Sequence, residues 1–293
     1  MVVSLLACVV HLVLVRMSDA VDLGKGERAG LRRRLNDGDG SKKGQSEAAM
    51  GSGRMFDAVA PRYDFVNRVM SMGMDRAWRR RLVQTLQLEP SDRVLDVATG
   101  TADVAILVGQ QMKSRENDTK RDGPCVIGVD PSANMLAVGR DKVSRAFLND
   151  TVSLELGDAL ALQYEDSSFD KISISFGIRN VPAASRITAL EEFHRVIKKE
   201  QGKRLAILEI SEPAGTGLLA RLARWFIRLN ALVGAWLSGR RREYRHLLDS
   251  IQAFPKQDDF CYMIDKAGFT VLGVETMGFG TVKIFVAEPK ATR

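Results

Sequence analysis

From Met55 onward the chain alternates between two hydrophobic periods. Runs of alternating or continuous apolar residues in RVLDVA (93–98), CVIGVD (125–130), VSLELGD (152–158), FDKISISFG (169–177) and RLAILEIS (204–211) predict strands. Between them, ADVAILVGQQM, ANMLAVGRDKVSRAFL and ITALEEFHRVIKK place apolar residues three and four apart and predict helices. The stretch PRYDFVNRVMSMGMDRAWRRRLVQTL predicts two short helices broken at Gly73. TVLGVETMG and TVKIFVAEP predict a hairpin turning at Phe279 and Gly280. Strands alternating with helices of this length indicate βαβ units: an α/β fold with a mostly parallel, doubly wound sheet, to which the hairpin adds an antiparallel edge.

The amino end follows neither period. VVSLLACVVHLVLV is an apolar run of about fourteen residues, short of the roughly 20 that span a bilayer. KGERAGLRRRLNDGDGSKKGQSEAAMGSG follows, rich in Gly, Ser, Lys and Arg. Residues 1–53 are therefore expected to be a targeting segment and disordered linker, and residues 54–293 one catalytic domain. An apolar core ahead of a basic stretch suits an organellar address, although no positive charge precedes it. The alternative is a start at Met17, Met50 or Met55. The net charge of +7 and pI near 9.4 favour an anionic partner, either nucleic acid or lipid headgroups. Cys8, Cys125 and Cys261 are scattered, as are His11, His194 and His246, so neither a disulfide framework nor a metal is expected.

The stretch VLDVATGTADVA (94–105) ends a strand and opens a helix, where an open α/β sheet places its ligand. A dinucleotide site needs several glycines there and a helix N-terminus facing the pyrophosphate. This loop has only Gly100, and Asp103 at the helix start either repels a phosphate or merely caps the helix. No Gly-Lys-Ser/Thr follows, so a Walker loop is absent. S-Adenosylmethionine, a sulfonium with no phosphate, meets both conditions. Asp96 can hold its ammonium end, directly or through water, and Gly100 lets the backbone approach. Asp130, ending the second strand, can accept both ribose hydroxyls, and Asp158 with Ala159 falls at the adenine edge. Each acid alone could simply cap the next helix; three at successive strand ends point to a shared ligand.

MFDAVAPRYDFVNRVMSMGMDRAWRRRL, VLDVATGTADVA, SFGIRNV, LEEFHRVIKK and LEISEP together resemble the ubiquinone/menaquinone biosynthesis C-methyltransferases, over residues 55–289. The resemblance implies a Rossmann-like seven-stranded fold and methylation of a ring carbon in a polyprenylated quinol, benzoquinol or naphthoquinol. Carried over by position, the cofactor residues are Thr101, Asp130, Asp158 with Ala159, and Ser175. Thr99 and Ala102 stand where the family often has Gly or Cys, and KKEQGKR replaces a Pro-Gly-Gly turn, which implies a longer turn.

Methyl transfer to carbon needs a ring carbon about 3–3.5 Å from the methyl, in line with it. It also needs a proton acceptor or relay, and a group that stabilises the phenolate. The family places SFGIRN beside the substrate. Arg179 would then stabilise the phenolate or polarise a water, and Asn180 would hold a quinol oxygen. Tyr63, with Asp64, would come from amino-terminal helices closing over the pocket, and Asp158 is a possible relay partner. The alternatives are an ion-paired Arg179 at a helix start and a core Tyr63 with a satisfied hydroxyl.

Residues 216–246 place Leu218, Leu222, Trp225, Phe226, Leu229, Val233 and Trp236 at helical spacing beside Arg221, Arg224, Arg228 and Arg240, Arg241 and Arg242. A basic amphipathic helix suits a membrane surface or a lid over a prenyl tail; it equally suits a helix covering the sheet with its arginines in water. Peripheral membrane association is therefore expected, at the matrix side of the mitochondrial inner membrane or in a plastid. Assembly into a quinone-biosynthesis complex or homodimer is the further expectation.

A nucleic-acid methyltransferase would carry Asn/Asp-Pro-Pro-Tyr or Pro-Cys after the fourth strand. FGIRN stands there and Pro124-Cys125 precedes the second strand, so no nucleic-acid partner is expected. A non-catalytic subunit of a quinone-synthesis assembly is the other alternative, against which the intact strand-end acids weigh.

Overall fold

The computed structural model describes residues 64, 67–68, 71–114, 123–213, 217, 221 and 248–291. The expected leader and linker (1–53), Tyr63 and, apart from Gly217 and Arg221, the amphipathic segment 216–246 lie outside the described residues.

Seven strands form one sheet in the order β3-β2-β1-β4-β5-β7-β6. They are β1 (Val94–Val97), β2 (Val126–Asp130), β3 (Val152–Leu156), β4 (Lys171–Ser175), β5 (Arg204–Ile210), β6 (Phe269–Met277) and β7 (Val282–Pro289). β1 to β5 run parallel, and β7 is antiparallel to both β5 and β6. The terminal hairpin is present, but its second strand lies inside the sheet and β6 forms the edge. The apolar run of β7 explains this: Ile284 and Val286 face one core and Phe285 and Ala287 the other. A strand buried on both faces belongs in a sheet's interior.

Among the described residues five longer helices cover the two faces: α1 (Asp75–Thr85), α2 (Asp103–Ser114), α3 (Ala133–Arg145), α4 (Arg186–Val196) and α5 (Gln257–Lys266). Leu82, Val108 and Leu136 of α1, α2 and α3 pack with Val94, Val126, Ala206 and Leu208 on one side. Phe193 of α4 and Phe260 of α5 pack with Leu95, Ile172 and Ile207 on the other. Both phenylalanines are fully buried, and truncating either to alanine would cost about 3–5 kcal/mol.

Local chemistry sets several boundaries. Ser132 caps α3, its hydroxyl oxygen accepting the Met135 N–H at 3.2 Å. Helix α4 stops at Val196, three residues short of the expected Lys199. Ile197 leaves the helix at ψ 140° and bridges to Phe169 instead. Ahead of α1 the expected break holds, with Met72 as well as Gly73 in the left-handed region, at φ 52° and 77°.

Candidate functional site

β1 and β4 are neighbours, and the chain continues outward from them in opposite directions, to β2 and to β5. A crevice opens beyond the carboxyl ends of strands at such a switch point. The loop leaving β1 has left-handed backbone at three alternate residues: Ala98 at φ 51°, Gly100 at 56° and Ala102 at 66°. This is a glycine-rich loop's path carried by one glycine, and each left-handed alanine costs about 1–2 kcal/mol. Neighbouring elements make room for the methyl groups. A Cβ on Gly177 would stand 2.6 Å from that of Ala98, and one on Gly139 would stand 3.3 Å from that of Ala102. Gly100 itself faces open space, with nothing within 4 Å of where its Cβ would be.

Asp96 lies beneath this loop and is 1% exposed. One carboxylate oxygen accepts the Ser173 hydroxyl and the other the Thr99 hydroxyl, each at 2.7 Å. Burial pushes its pKa up to about 6, against the opposing pull of those hydrogen bonds. The geometry is that of a brace for the loop. Asp130, at the end of β2, accepts the Gly100 N–H at 2.8 Å and the Ser132 N–H at 2.9 Å. It ties the loop to the start of α3. Asp158 follows β3, its carboxylate accepting the Leu160 N–H at 3.0 Å. The neighbouring Gly157 N–H reaches the Asp130 carbonyl at 3.2 Å, which sets the Asp158-Ala159 turn beside the β2 end.

Thr101 is 3% exposed and donates its hydroxyl to Asp64 at 2.6 Å. Asp103 does not serve as a plain cap. It pairs with Lys142 at 2.5 Å and lies 3.4 Å from Arg79. Burial raises its pKa, but the two cations outweigh that and hold the carboxyl below its ordinary range.

At the end of β4, Phe176 takes φ 56°, an uncommon conformation for a bulky residue and one that persists only where its surroundings over-determine it. Its carbonyl accepts from Arg179 Nη1 at 2.9 Å and Asn180 Nδ2 at 3.4 Å. The guanidinium groups of Arg79 and Arg179 lie over its ring, 5.5 and 5.9 Å from the centroid. Arg179 points inward. Its guanidinium meets the fully buried Glu209 of β5 at 2.5 Å, and its backbone N–H donates to the same carboxylate at 3.1 Å. Of the two readings of Arg179, the geometry is that of the ion-paired one. Arg186 locks the turn from below, donating to the carbonyls of Arg179, Val181 and Ala253. Beside the turn, the Ser175 hydroxyl is buried without a hydrogen-bond partner among the described residues, as a ligand-facing group would be.

The structure thus gathers Asp96, Gly100, Thr101, Asp130, Asp158, Ala159 and Ser175 at the ends of four adjacent strands, with Arg179 and Asn180 on the following turn. Sequence reasoning missed Glu209, Arg79 and Lys142. A signal for Glu209 existed, because a carboxylate inside the apolar run RLAILEI must be paired. Lys142 and Arg79 carry no such signal on their amphipathic helices.

Sheet order, strand directions and switch-point loop define a Rossmann-like fold of the methyltransferase class. The solved structure of the [4+2]-cyclase SpnF aligns with a TM-score of 0.60 at 16% identity, covering 83% of this chain and 97% of its own. A SAM-dependent methyltransferase from Thermotoga maritima aligns at 0.53 and 19% identity, covering 81% and 99%. At these identities the likeness is one of fold.

The sequence narrows the class. The ubiE/COQ5 methyltransferase family model matches residues 43–288. A ubiquinone/menaquinone biosynthesis C-methyltransferase of Geobacter sulfurreducens is 36% identical over 234 residues, 80% of this chain and 86% of that protein. A demethylmenaquinone methyltransferase of Thermus thermophilus is 37% identical over 236 residues, 80% of this chain and 99% of that protein. The chain belongs to the ubiE/COQ5 methyltransferase family, and methyl transfer is its reaction.

Proposed function

We propose that the protein transfers the methyl group of S-adenosylmethionine to a ring carbon of a polyprenylated quinol in quinone biosynthesis. The observation that carries the cofactor assignment is the set of groups around Gly100. The Asp130 carboxylate accepts the Gly100 N–H at 2.8 Å, open space lies in front of the glycine, and Asp103 at the helix start is bound to cations of the protein itself. A pyrophosphate would meet carboxylates there, while a ribose diol and an ammonium group find acceptors.

S-Adenosylmethionine supplies a methyl group activated by its sulfonium. Asp130 accepts the ribose hydroxyls, the Asp158-Ala159 turn borders the adenine, Ser175 offers its unpartnered hydroxyl, and Asp96 with Thr101 holds the loop in place. On the substrate side, Asn180 is the side chain placed to meet a quinol oxygen. Arg179, fixed by Glu209, sets the turn that presents Asn180.

The two relatives' names support a quinol acceptor, ubiquinone-type or menaquinone-type. The basic amphipathic pattern of residues 216–246 supports peripheral association with the membrane that dissolves such a substrate. The apolar-then-basic start supports an organelle, mitochondrion or plastid, as its place. Assembly with other quinone-synthesis enzymes, or with a second copy, would keep the water-insoluble quinol in reach.

Transfer of labelled methyl from S-adenosylmethionine to a demethylated naphthoquinol and to a methoxy-benzoquinol tests the proposal and identifies the ring. Product is expected from one of the two. Transfer to neither, together with no saturable cofactor binding, would refute it.

A further inference from the structure

Resting on the reading of the 98–102 loop as the cofactor site, we propose that Lys142 is a positioning residue for methyl transfer. Its ammonium group gathers Asp64, Thr101 and Asp103 into one clasp that holds this loop in its binding shape.

Lys142 lies on α3 with about a quarter of its side chain exposed. Its Nζ donates to Asp64 Oδ2 at 2.8 Å, to Thr101 Oγ1 at 3.1 Å and to Asp103 Oδ1 at 2.5 Å. An ammonium group has three N–H donors, and all three are engaged. The Thr101 hydroxyl donates in turn to Asp64 Oδ1 at 2.6 Å. Two carboxylates, Asp64 and Asp103, therefore converge on one ammonium group, which offsets their mutual repulsion. The clasp continues through Asp103 to Arg79 at 3.4 Å and from Arg79 to Asp75 at 2.6 Å. Arg79 lies over the Phe176 ring. One chain of charges thus runs from Asp64, ahead of α1, through the loop to the turn after β4.

Two facts give this clasp a role in binding. Two of the three partners on that nitrogen, Thr101 in the loop and Asp103 at its end, belong to the loop segment itself, so the contacts fix its shape directly. The loop they hold has left-handed alanines on both sides of Gly100, a strained path that persists only where surrounding contacts over-determine it. Thr101 and Asp103 flank the second of those alanines. Removing Lys142 would let the two carboxylates move apart and the loop relax, withdrawing Gly100 from the Asp130 carboxylate.

Calorimetric titration of the full chain with S-adenosylmethionine, paired with thermal unfolding, tests the inference. Lys142→Met should raise the dissociation constant about tenfold, as expected for losing a charge-assisted contact to the loop, with little change in unfolding temperature. Lys142→Arg should recover most of the affinity. Adding Asp64→Asn to Lys142→Met should also restore part of it, because that change removes a carboxylate left without its cation. Wild-type protein that shows no saturable binding would refute the cofactor reading itself. If wild type binds and Lys142→Met binds as tightly, or if the two losses merely add, the clasp has no positioning role. Should Lys142→Met fail to fold, Asp64→Asn alone decides: weaker binding at an unchanged unfolding temperature supports the clasp, and unchanged binding overturns it.

Discussion

Gly177 faces Ala98 across the ends of β4 and β1, so closely that a Cβ on Gly177 would stand 2.6 Å from the Ala98 methyl. The glycine that the β1 loop lacks has in effect been moved onto its neighbour. Gly177→Ala should therefore cost about 1–3 kcal/mol, as overpacking does. Ala98→Gly removes both the opposing methyl group and the strain of φ 51°, so the double variant should regain much of that loss. Urea unfolding of the four proteins measures the coupling. Strict additivity would show that the contact is not what Gly177 serves.

The Arg179–Glu209 pair is buried on both sides. Glu209→Ala leaves the guanidinium uncompensated and should cost about 3–5 kcal/mol. Arg179→Lys should also lose stability, since the shorter lysine must bring its single nitrogen to the place of Nη1, which serves both Glu209 and the Phe176 carbonyl. Chemical denaturation and turnover should fall together in both variants. A Glu209→Ala protein of wild-type stability would remove the buried pair from the account.

Asp96 carries its own pH signature. Its folded pKa is raised to about 6 from 3.8, so the folded state holds the proton more tightly than the unfolded chain. Its stabilising contribution is complete below pH about 3.8 and is lost as pH rises through about 6. Relative to wild type, Asp96→Asn should gain up to about 3 kcal/mol between pH 4 and 7, since a tenfold difference in proton affinity between the folded and unfolded chain is worth about 1.4 kcal/mol. Asp103 and Asp170 are held below their ordinary range and lose their contributions only as pH falls through the acidic range. Unfolding free energies at pH 4, 5, 6 and 7 decide the matter. A constant difference between the two proteins would contradict it.

Asp130→Ala removes the acceptor for the Gly100 N–H and the proposed partner of the ribose diol at once. The dissociation constant for S-adenosylmethionine should rise about tenfold or more, the scale of losing hydrogen bonds to a charged group. Titration of the folded variant measures it, and an unchanged constant would reject the ribose assignment.

Much of this arrangement was legible in the sequence. The strands, the doubly wound order and the acids ending β1 and β2 follow from period and position. Three points were not. The hairpin's inner strand is β7, because which of two apolar strands lies inside depends on what covers both faces. The loop's lack of glycine did not reveal its left-handed alanines, because the space that admits their methyl groups belongs to Gly139 and Gly177. Asp103, read as a helix cap or a bar to phosphate, owes its charge state to Lys142 and Arg79 on two other helices.

The elements, and the end of the sheet where chemistry occurs, can be read from the order of residues alone. Backbone hydrogen bonding and side-chain alternation are local and leave a readable period. Which charge meets which emerges from the folded arrangement. Arg179 turned to Glu209 and not outward, Thr101 to Asp64, and Lys142 to three oxygens at once, because electrostatic partners are chosen by distance in space, which spacing along the chain does not encode.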